Sequence, residues 1–493
     1  MLATPSAAVS AVVASSSTCR ALALPELLFA VLDTLAAQAD QDPVLTQAAL
    51  RACTLVNRTW YLHANPFMYR APFLAQCGGR HHSKATKALI RTLTTTSHGA
   101  HVRSLARVPS ETWELFSSLK DCFTPCPRLS TLTLCFRAGE QGHWMEPFLK
   151  ENYGQLDPVV RAGMSRVTEL DLTSVGVKDG ADKDDLTYAE ASLNCIAACT
   201  RLQKLTTTQA DWSQVTELPK TLVDLSISFL YPPSLMSTVA LAPFLEGLTR
   251  LHVHYTPKAE PPQAFMAVVA HACKQLVHLD VCAESITCAS LRTLVANNRD
   301  LVTIYLRNCP DEYTKAVLDN PPKKLEVLDM GTVDAKLVLK ALEVCPRLVS
   351  IGKTIARHAT AASNNADYWR QFLDNATQLQ ELHVERWSDF HNKDLLFNTV
   401  LPRLGPKLVN VWFGWRDLLG CEDLDKVLVH CKKLEVLRAP VKGNSQNLIR
   451  TFKKHGPASR LREVRLICDN FKLVEDDKRR MYRLMPHLAQ FAA

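Results

Sequence analysis

Cys273-Lys-Gln-Leu276-Val-His-Leu279-Asp-Val281 decides how the rest of the chain is read. Its spacing is C-x-x-L-x-x-L-x-V. The same spacing returns in Cys126-Pro-Arg-Leu129-Ser-Thr-Leu132-Thr-Leu134 and in Cys199-Thr-Arg-Leu202-Gln-Lys-Leu205. Cys345-Pro-Arg-Leu348 and Cys431-Lys-Lys-Leu434-Glu-Val-Leu437 extend the series. Taken by its first apolar residue, the series runs Leu129, Val167, Leu202, Leu222, Leu248, Leu276, Leu301, Leu325, Leu348, Leu379, Leu408, Leu434 and Leu461. Each has an apolar partner three places on: Leu132, Leu170, Leu205, Leu225, Leu251, Leu279, Ile304, Leu328, Ile351, Leu382, Val411, Leu437 and Val464.

The mean step is roughly 28 residues, inside the range of a leucine-rich repeat. Each core begins a short strand, where alternate side chains point to opposite faces. The segment before each core is helix-like, as in Cys288 to Asn297, where apolar residues recur three and four apart. No single repeat can bury its own apolar face, so neighbours must stack. The expected fold is an α/β leucine-rich-repeat solenoid over residues 122–475, a horseshoe with parallel strands on its concave face and helices outside. Val102 and Leu105, within a linker over 76–121, read as an incomplete first repeat. The steps from 129 to 202 are long and the step to 222 is short, so loops over 139–157 and 178–185 are expected to bulge. Residues 476–493, with Met481, Leu484, Leu488 and Phe491, read as a helical cap.

Composition agrees. A chain of 493 residues with 47% hydrophobic residues exceeds one ordinary core and suits a solenoid. The net charge of +8 is modest and the basic residues are scattered, Lys478-Arg-Arg480 being the densest run, so no nucleic-acid partner is expected. Five of the sixteen cysteines stand three places before a repeat leucine, where a small hydrophobe fits. No Cys-x-x-Cys occurs, and free thiols in a reducing compartment, cytoplasmic or nuclear, are expected rather than a metal site. No apolar run reaches the ~18 residues of a membrane span. Met1 to Thr18 is rich in Ala, Ser and Val and lacks a basic start, so residues 1–20 read as a disordered leader.

Residues 21–75 carry a second pattern. Leu24-Pro25-Glu26 opens a helix whose Leu27, Leu28, Val31, Leu32 and Leu35 share one stripe. A second helix runs through Leu50 to Leu55-Val56-Asn57-Arg58-Thr59-Trp60, and Tyr69-Arg70 closes the unit. This stretch resembles an F-box, and the whole resembles fungal-type F-box/leucine-rich-repeat proteins with a ribonuclease-inhibitor-like solenoid. The glutamate directly after the proline and the polar insertion over 38–42 depart from the family pattern. The resemblance implies a substrate-recruiting subunit of a cullin-based, SCF-type ubiquitin ligase. Its Skp-type adaptor would be met by Leu24, Pro25, Leu27, Leu28, Val31, Leu32, Leu55, Val56 and Trp60. The alternatives are a leucine-rich-repeat interaction scaffold outside any ligase, its N-terminus a helical cap, and an enzyme regulator with a protruding arginine, for which no candidate stands out.

No phosphate loop, nucleophile elbow or H-E-x-x-H occurs, so neither catalytic residues nor cofactors are expected. The outward strand positions are Glu169 and Asp171; Lys204; Asp224; Arg250, His252 and His254; His278 and Asp280; Tyr305 and Arg307; Asp329; Glu381, His383 and Glu385; Asn410 and Trp412; Arg438; Glu463 and Arg465. Trp387 and Trp415 follow their strands. His278 is expected near His252, with Asp280 as the one carboxylate to orient them. Aromatic and arginine side chains dominate protein interfaces. An unknown protein substrate is therefore expected on Arg250, His252, His254, Tyr305, Arg307, His383, Trp412 and Arg438.

Overall fold

The computed structural model describes residues 31–33, 43–54, six positions within 60–69, 92–93, 97–108, 123–137, 158–175, 195–212, 215 and 217–492. From that last stretch 232–234, 256–261, 331–333, 353–365, 385–394, 415–417, 456–459, 469–474, 486–487 and 489 are excluded. The chain divides into two compact units, Met1–Val223 and Asp224–Ala493.

In the first unit, Leu32 packs with Leu50, on the helix Pro43–Thr54, and with Ala64, and Cys53, Trp60 and Phe67 lie against them. Among the described residues four parallel strands follow in chain order: β1 (Ser104–Val108), β2 (Thr131–Arg137), β3 (Glu169–Val175) and β4 (Lys204–Asp211). Leu105, Leu132, Leu170 and Leu205 stand side by side across them. The pair Val102 and Leu105 therefore belongs to a repeat with its own strand. The expected loops over 139–157 and 178–185 lie outside the described residues.

Among the described residues the second unit carries eleven more strands, each paired in parallel with the next. They are β5 (Asp224–Tyr231), β6 (Arg250–Tyr255), β7 (His278–Cys282), β8 (Thr303–Arg307), β9 (Val327–Met330) and β10 (Ser350–Ile351). Then come β11 (Glu381–Val384), β12 (Asn410–Phe413), β13 (Val436–Val441), β14 (Glu463–Cys468) and β15 (Gln490–Ala492). Helices such as Gln263–Ala272, Cys288–Asn297, Asp311–Leu318 and Ala335–Val344 connect the strands and pack on one another in sequence order. The fold is a leucine-rich-repeat solenoid. Every apolar pair from Leu129/Leu132 to Leu461/Val464 is buried.

A turn at most of the described corners locks the register. The amide of the first apolar residue donates to the carbonyl three places back, as in Leu129 to Cys126 at 3.1 Å, Leu202 to Cys199 at 3.0 Å and Leu434 to Cys431 at 3.2 Å. At Cys126, Cys199 and Cys431 the residue giving that carbonyl is buried, which favours a small or apolar side chain there. At Gly99 a Cβ would run into the carbonyl of Pro125. Burial pushes the corner thiols up, to about 12 at Cys126, Cys273 and Cys431 and about 11 at Cys345, so they stay protonated.

The corner at Leu276 is built differently. Its amide donates to Asn298 Oδ1 at 2.8 Å, and Asn298 Nδ2 donates to the carbonyls of Cys273 (2.9 Å) and Leu294 (2.8 Å). Asn298 holds the corner place of the next repeat and is 1% exposed.

The C-terminal end corrects one expectation. The helix Glu475–Leu484 is followed by Met485, whose carbonyl accepts from Leu488 at 3.0 Å, and then by β15, with Phe491 beside Val464. Met485-x-x-Leu488-x-x-Phe491 is the repeat motif once more, so a strand and not a helical cap ends the described chain. No helix among the described residues is long and apolar enough to cross a membrane.

Asn298→Ala removes three buried hydrogen bonds and strands the amide of Leu276, so it is expected to cost about 3 kcal/mol in urea unfolding. A loss within about 0.5 kcal/mol would remove Asn298 from this role.

Candidate functional site

Strand register sets which side chains meet on the outward face. One row runs Ser226, His252, Asp280, Tyr305 and Asp329 across β5 to β9, and resumes as His383, Trp412, Arg438 and Arg465 across β11 to β14. Cross-strand neighbours are the interacting unit of a sheet surface, so two clusters form, one at either end of this row.

The first centres on Asp280. This carboxylate is only 3% exposed although it faces outward. Its Oδ2 accepts from Arg307 Nη2 at 2.6 Å and lies 3.4 Å from His252 Nδ1. Its Oδ1 is buried without a partner among the described residues. Burial pushes the carboxyl up, but the hydrogen bond from His252 and the charge of Arg307 outweigh it, and Asp280 is held below the ordinary range. His254 is lowered by burial first and by Arg307 and His252 next, against the pull of Asp280. His278 is lowered by burial, then by Arg250 and His252, against Asp224. Burial raises Tyr305, helped by Asp329, Glu381 and Asp280. Arg250 lies 3.8 Å from Asp224.

His278 lies near His252, as expected, and that ring helps to lower it. The two are diagonal neighbours: His278 stands opposite Arg250, and Asp280 is the residue opposite His252. A strand advances its outward side chains two places at a time, so both residues keep the same face. Among the described residues no three histidine, cysteine or acidic side chains are grouped to hold a metal ion.

The second cluster is a stack. The rings of His383 and Trp412 lie parallel, 4.1 Å apart and 13° inclined. Arg438 covers the other side of Trp412, its guanidinium carbon 5.2 Å from the ring centroid. Glu463 Oε1 accepts from Arg438 Nε and Nη2 at 3.1 and 2.9 Å, and Arg465 Nε meets the same oxygen at 2.7 Å. Asn410 donates to Glu381 beside them. With both faces covered, Trp412 presents its edge rather than a ring face.

Between the clusters stands Gly352, which sequence reading passed over. A Cβ there would collide with the carboxylate of Asp329. The lack of a side chain is what lets Asp329 lie across the next strand.

All eight expected face residues are thus on one face, divided between the two clusters. Trp387, Trp415 and Glu385 lie outside the described residues. Of the expected adaptor contacts, Val31 is 41% exposed, whereas Leu32 is fully buried in the N-terminal core and Trp60 is half-buried against it. Leu24, Pro25, Leu27, Leu28, Leu55 and Val56 also lie outside the described residues.

No protein-family model matches the chain, and no curated protein matches its sequence. Among solved structures it is similar to a protein from Bacteroides fragilis, at 10% identity over 75% of each chain with a TM-score of 0.24. It is also similar to the leucine-rich repeat-containing protein LegL7 from Legionella pneumophila. There the identity is 13% over 72% of this chain and 97% of that one, with a TM-score of 0.32.

The lowered histidines predict a pH dependence. His254 and His278 hold folded pKa values below their ordinary 6.5, so on acidification the unfolded chain takes the proton first. Stability is therefore lost as pH falls below about 6.5. A His254→Gln, His278→Gln double variant is expected to lose less stability than the parent between about pH 7.5 and about 5.5. Equal losses in urea titrations would show that these two side chains do not carry the effect.

Proposed function

We propose that the chain recruits a protein partner on the outward strand face of its repeats and delivers it to a cullin-based ubiquitin ligase through a Skp-type adaptor. The His383–Trp412–Arg438 stack carries the first half of this reading. Glu463 fixes Arg438, and His383 and Arg438 fix Trp412, so their donors are immobilised before any partner arrives. Such pre-organisation is what lets aromatic and arginine side chains carry binding energy. The chain performs no chemistry in this reading and supplies proximity alone. The described cysteines are free thiols, in keeping with the cytoplasm or nucleus.

The second half rests on the F-box resemblance over 21–75. Val31 remains a contact candidate by its exposure, and Leu32 and Trp60 take the supporting role of core residues. Their burial also favours the alternative, a scaffold whose N-terminal helices serve as a cap without any ligase.

Trp412→Ala is expected to weaken partner binding by about thirtyfold while circular dichroism is unchanged. Undiminished binding would take the stack out of recognition. The adaptor half is tested by pull-down with a Skp-type adaptor, using the intact chain, Val31→Asp and the Leu27→Asp, Leu28→Asp double variant. Capture by the intact chain, lost in either variant with the fold intact, supports the ligase reading. No capture by the intact chain leaves the scaffold.

A further inference from the structure

The two residues between the corner place and the first apolar place hold equivalent positions in each repeat, directly before the strand, so they line one edge of the second unit. From Leu248 to Leu461, nine repeats supply eighteen such places. Nine hold lysine or arginine and two hold acids, Glu246 and Asp300. Lysine and arginine together are 57 of 493 residues, so about two would be expected by composition. The excess at this edge is close to the whole formal charge of the chain, +8. Residues dispersed in sequence are thus gathered in space by the repeat. The same preference recurs within the first unit, where Arg128, Arg166 and Arg201 stand directly before Leu129, Val167 and Leu202.

Two of the nine form ion pairs, Lys324 with Asp300 and Arg347 with Glu326, each at 2.9 Å. Three more donate to neutral groups: Arg299 to Asn320, Lys407 to the carbonyl of Thr377 at 2.8 Å and Lys432 to the carbonyl of Leu428 at 3.4 Å. Lys274, Lys323, Lys407, Lys432, Lys433 and Arg460 are exposed and form no ion pair with a carboxylate among the described residues. The nearby Glu435 is taken by Arg462 at 3.5 Å.

Neighbouring parallel strands lie about 4.8 Å apart, so the row from the Leu276 corner to the Leu461 corner extends about 34 Å. An extended polypeptide advances about 3.4 Å per residue and covers that distance with about ten residues. The phosphates of a duplex wind fully round their axis in about the same length and face such a row over only part of it. None of the eighteen places holds an aromatic residue on which a single-stranded base would stack.

We propose that this edge docks an extended acidic segment of the protein partner. The proposal rests on the reading of the repeats as protein-binding, but it uses a surface separate from the Trp412 stack. The test uses the full chain and a fluorescein-labelled glutamate-rich peptide of about ten residues, followed by fluorescence anisotropy. Lys432→Glu, Lys433→Glu is expected to weaken binding at least about tenfold, and added salt to weaken it further. Lys336→Glu, Lys442→Glu removes the same charge from exposed places off this edge and is expected to leave most of the affinity. Equal losses in the two double variants, or tighter binding of duplex DNA or phosphatidylserine vesicles than of the peptide, would overturn the proposal. Trp412→Ala is expected to leave peptide binding unchanged, so failure of the edge and failure of the stack are read separately.

Discussion

The solenoid depends on one constraint, the burial of two apolar residues three places apart on either side of a strand's first residue. The earlier one closes the corner turn and the later one enters the strand. Leu276 and Leu279 do this in one repeat, Leu301 and Ile304 in the next, and all four are fully buried. A buried aliphatic side chain is worth about 1.5–3 kcal/mol, and no repeat retains that energy unless its neighbours cover it. The parallel register follows, because Leu279 lies beside Ile304 only when the strands run in step. Everything outward-facing then inherits fixed neighbours at strand spacing.

That inheritance explains how a carboxylate comes to lie buried on an exposed face. Asp280 occupies the central row, with His252 and Tyr305 on its flanking strands and Arg307 one outward place further along β8. Those side chains shut out water, and Arg307 supplies the compensating charge at 2.6 Å. Desolvation opposes this arrangement and the two donors on Oδ2 outweigh it, which is why the carboxyl is held low despite its burial. The stack at the other end shows the opposite solution. Glu463 serves two arginines through one oxygen, so the positive charge there is held in place without being cancelled.

The sequence made the apolar frame legible because an invariant spacing is a one-dimensional signal. All thirteen apolar pairs could be read from it, as could the side of the sheet on which His252, Trp412 and Arg438 stand. Cross-strand neighbours were harder, since they depend on register. That His278 lies near His252 was legible, but not that it stands opposite Arg250 and that Asp280 stands opposite His252. Gly352 gave no signal, because its meaning is the room it leaves for Asp329 on another strand. The last strand was hidden by a substitution pattern, with Met485 and Phe491 standing where cysteine and leucine recur. Asn298 stands one residue past the helix Cys288–Asn297, and its bond to Leu276 reaches back a full repeat, which no local pattern marks.

The basic edge belongs to the same lesson in a sharper form. Lys274, Lys407 and Arg460 are far apart along the chain, and as a linear charge pattern they read as a solvated surface. The corner turn that closes each repeat also returns the chain to one lateral edge, so any preference at that place becomes a row. On the binding role proposed above, such a row would act through long-range attraction, which raises encounter rates and fades with salt. The stack of His383, Trp412 and Arg438 would act at contact distance and govern how long a partner stays. Recognition would then be divided between capture by charge along the edge and selection by shape on the strand face.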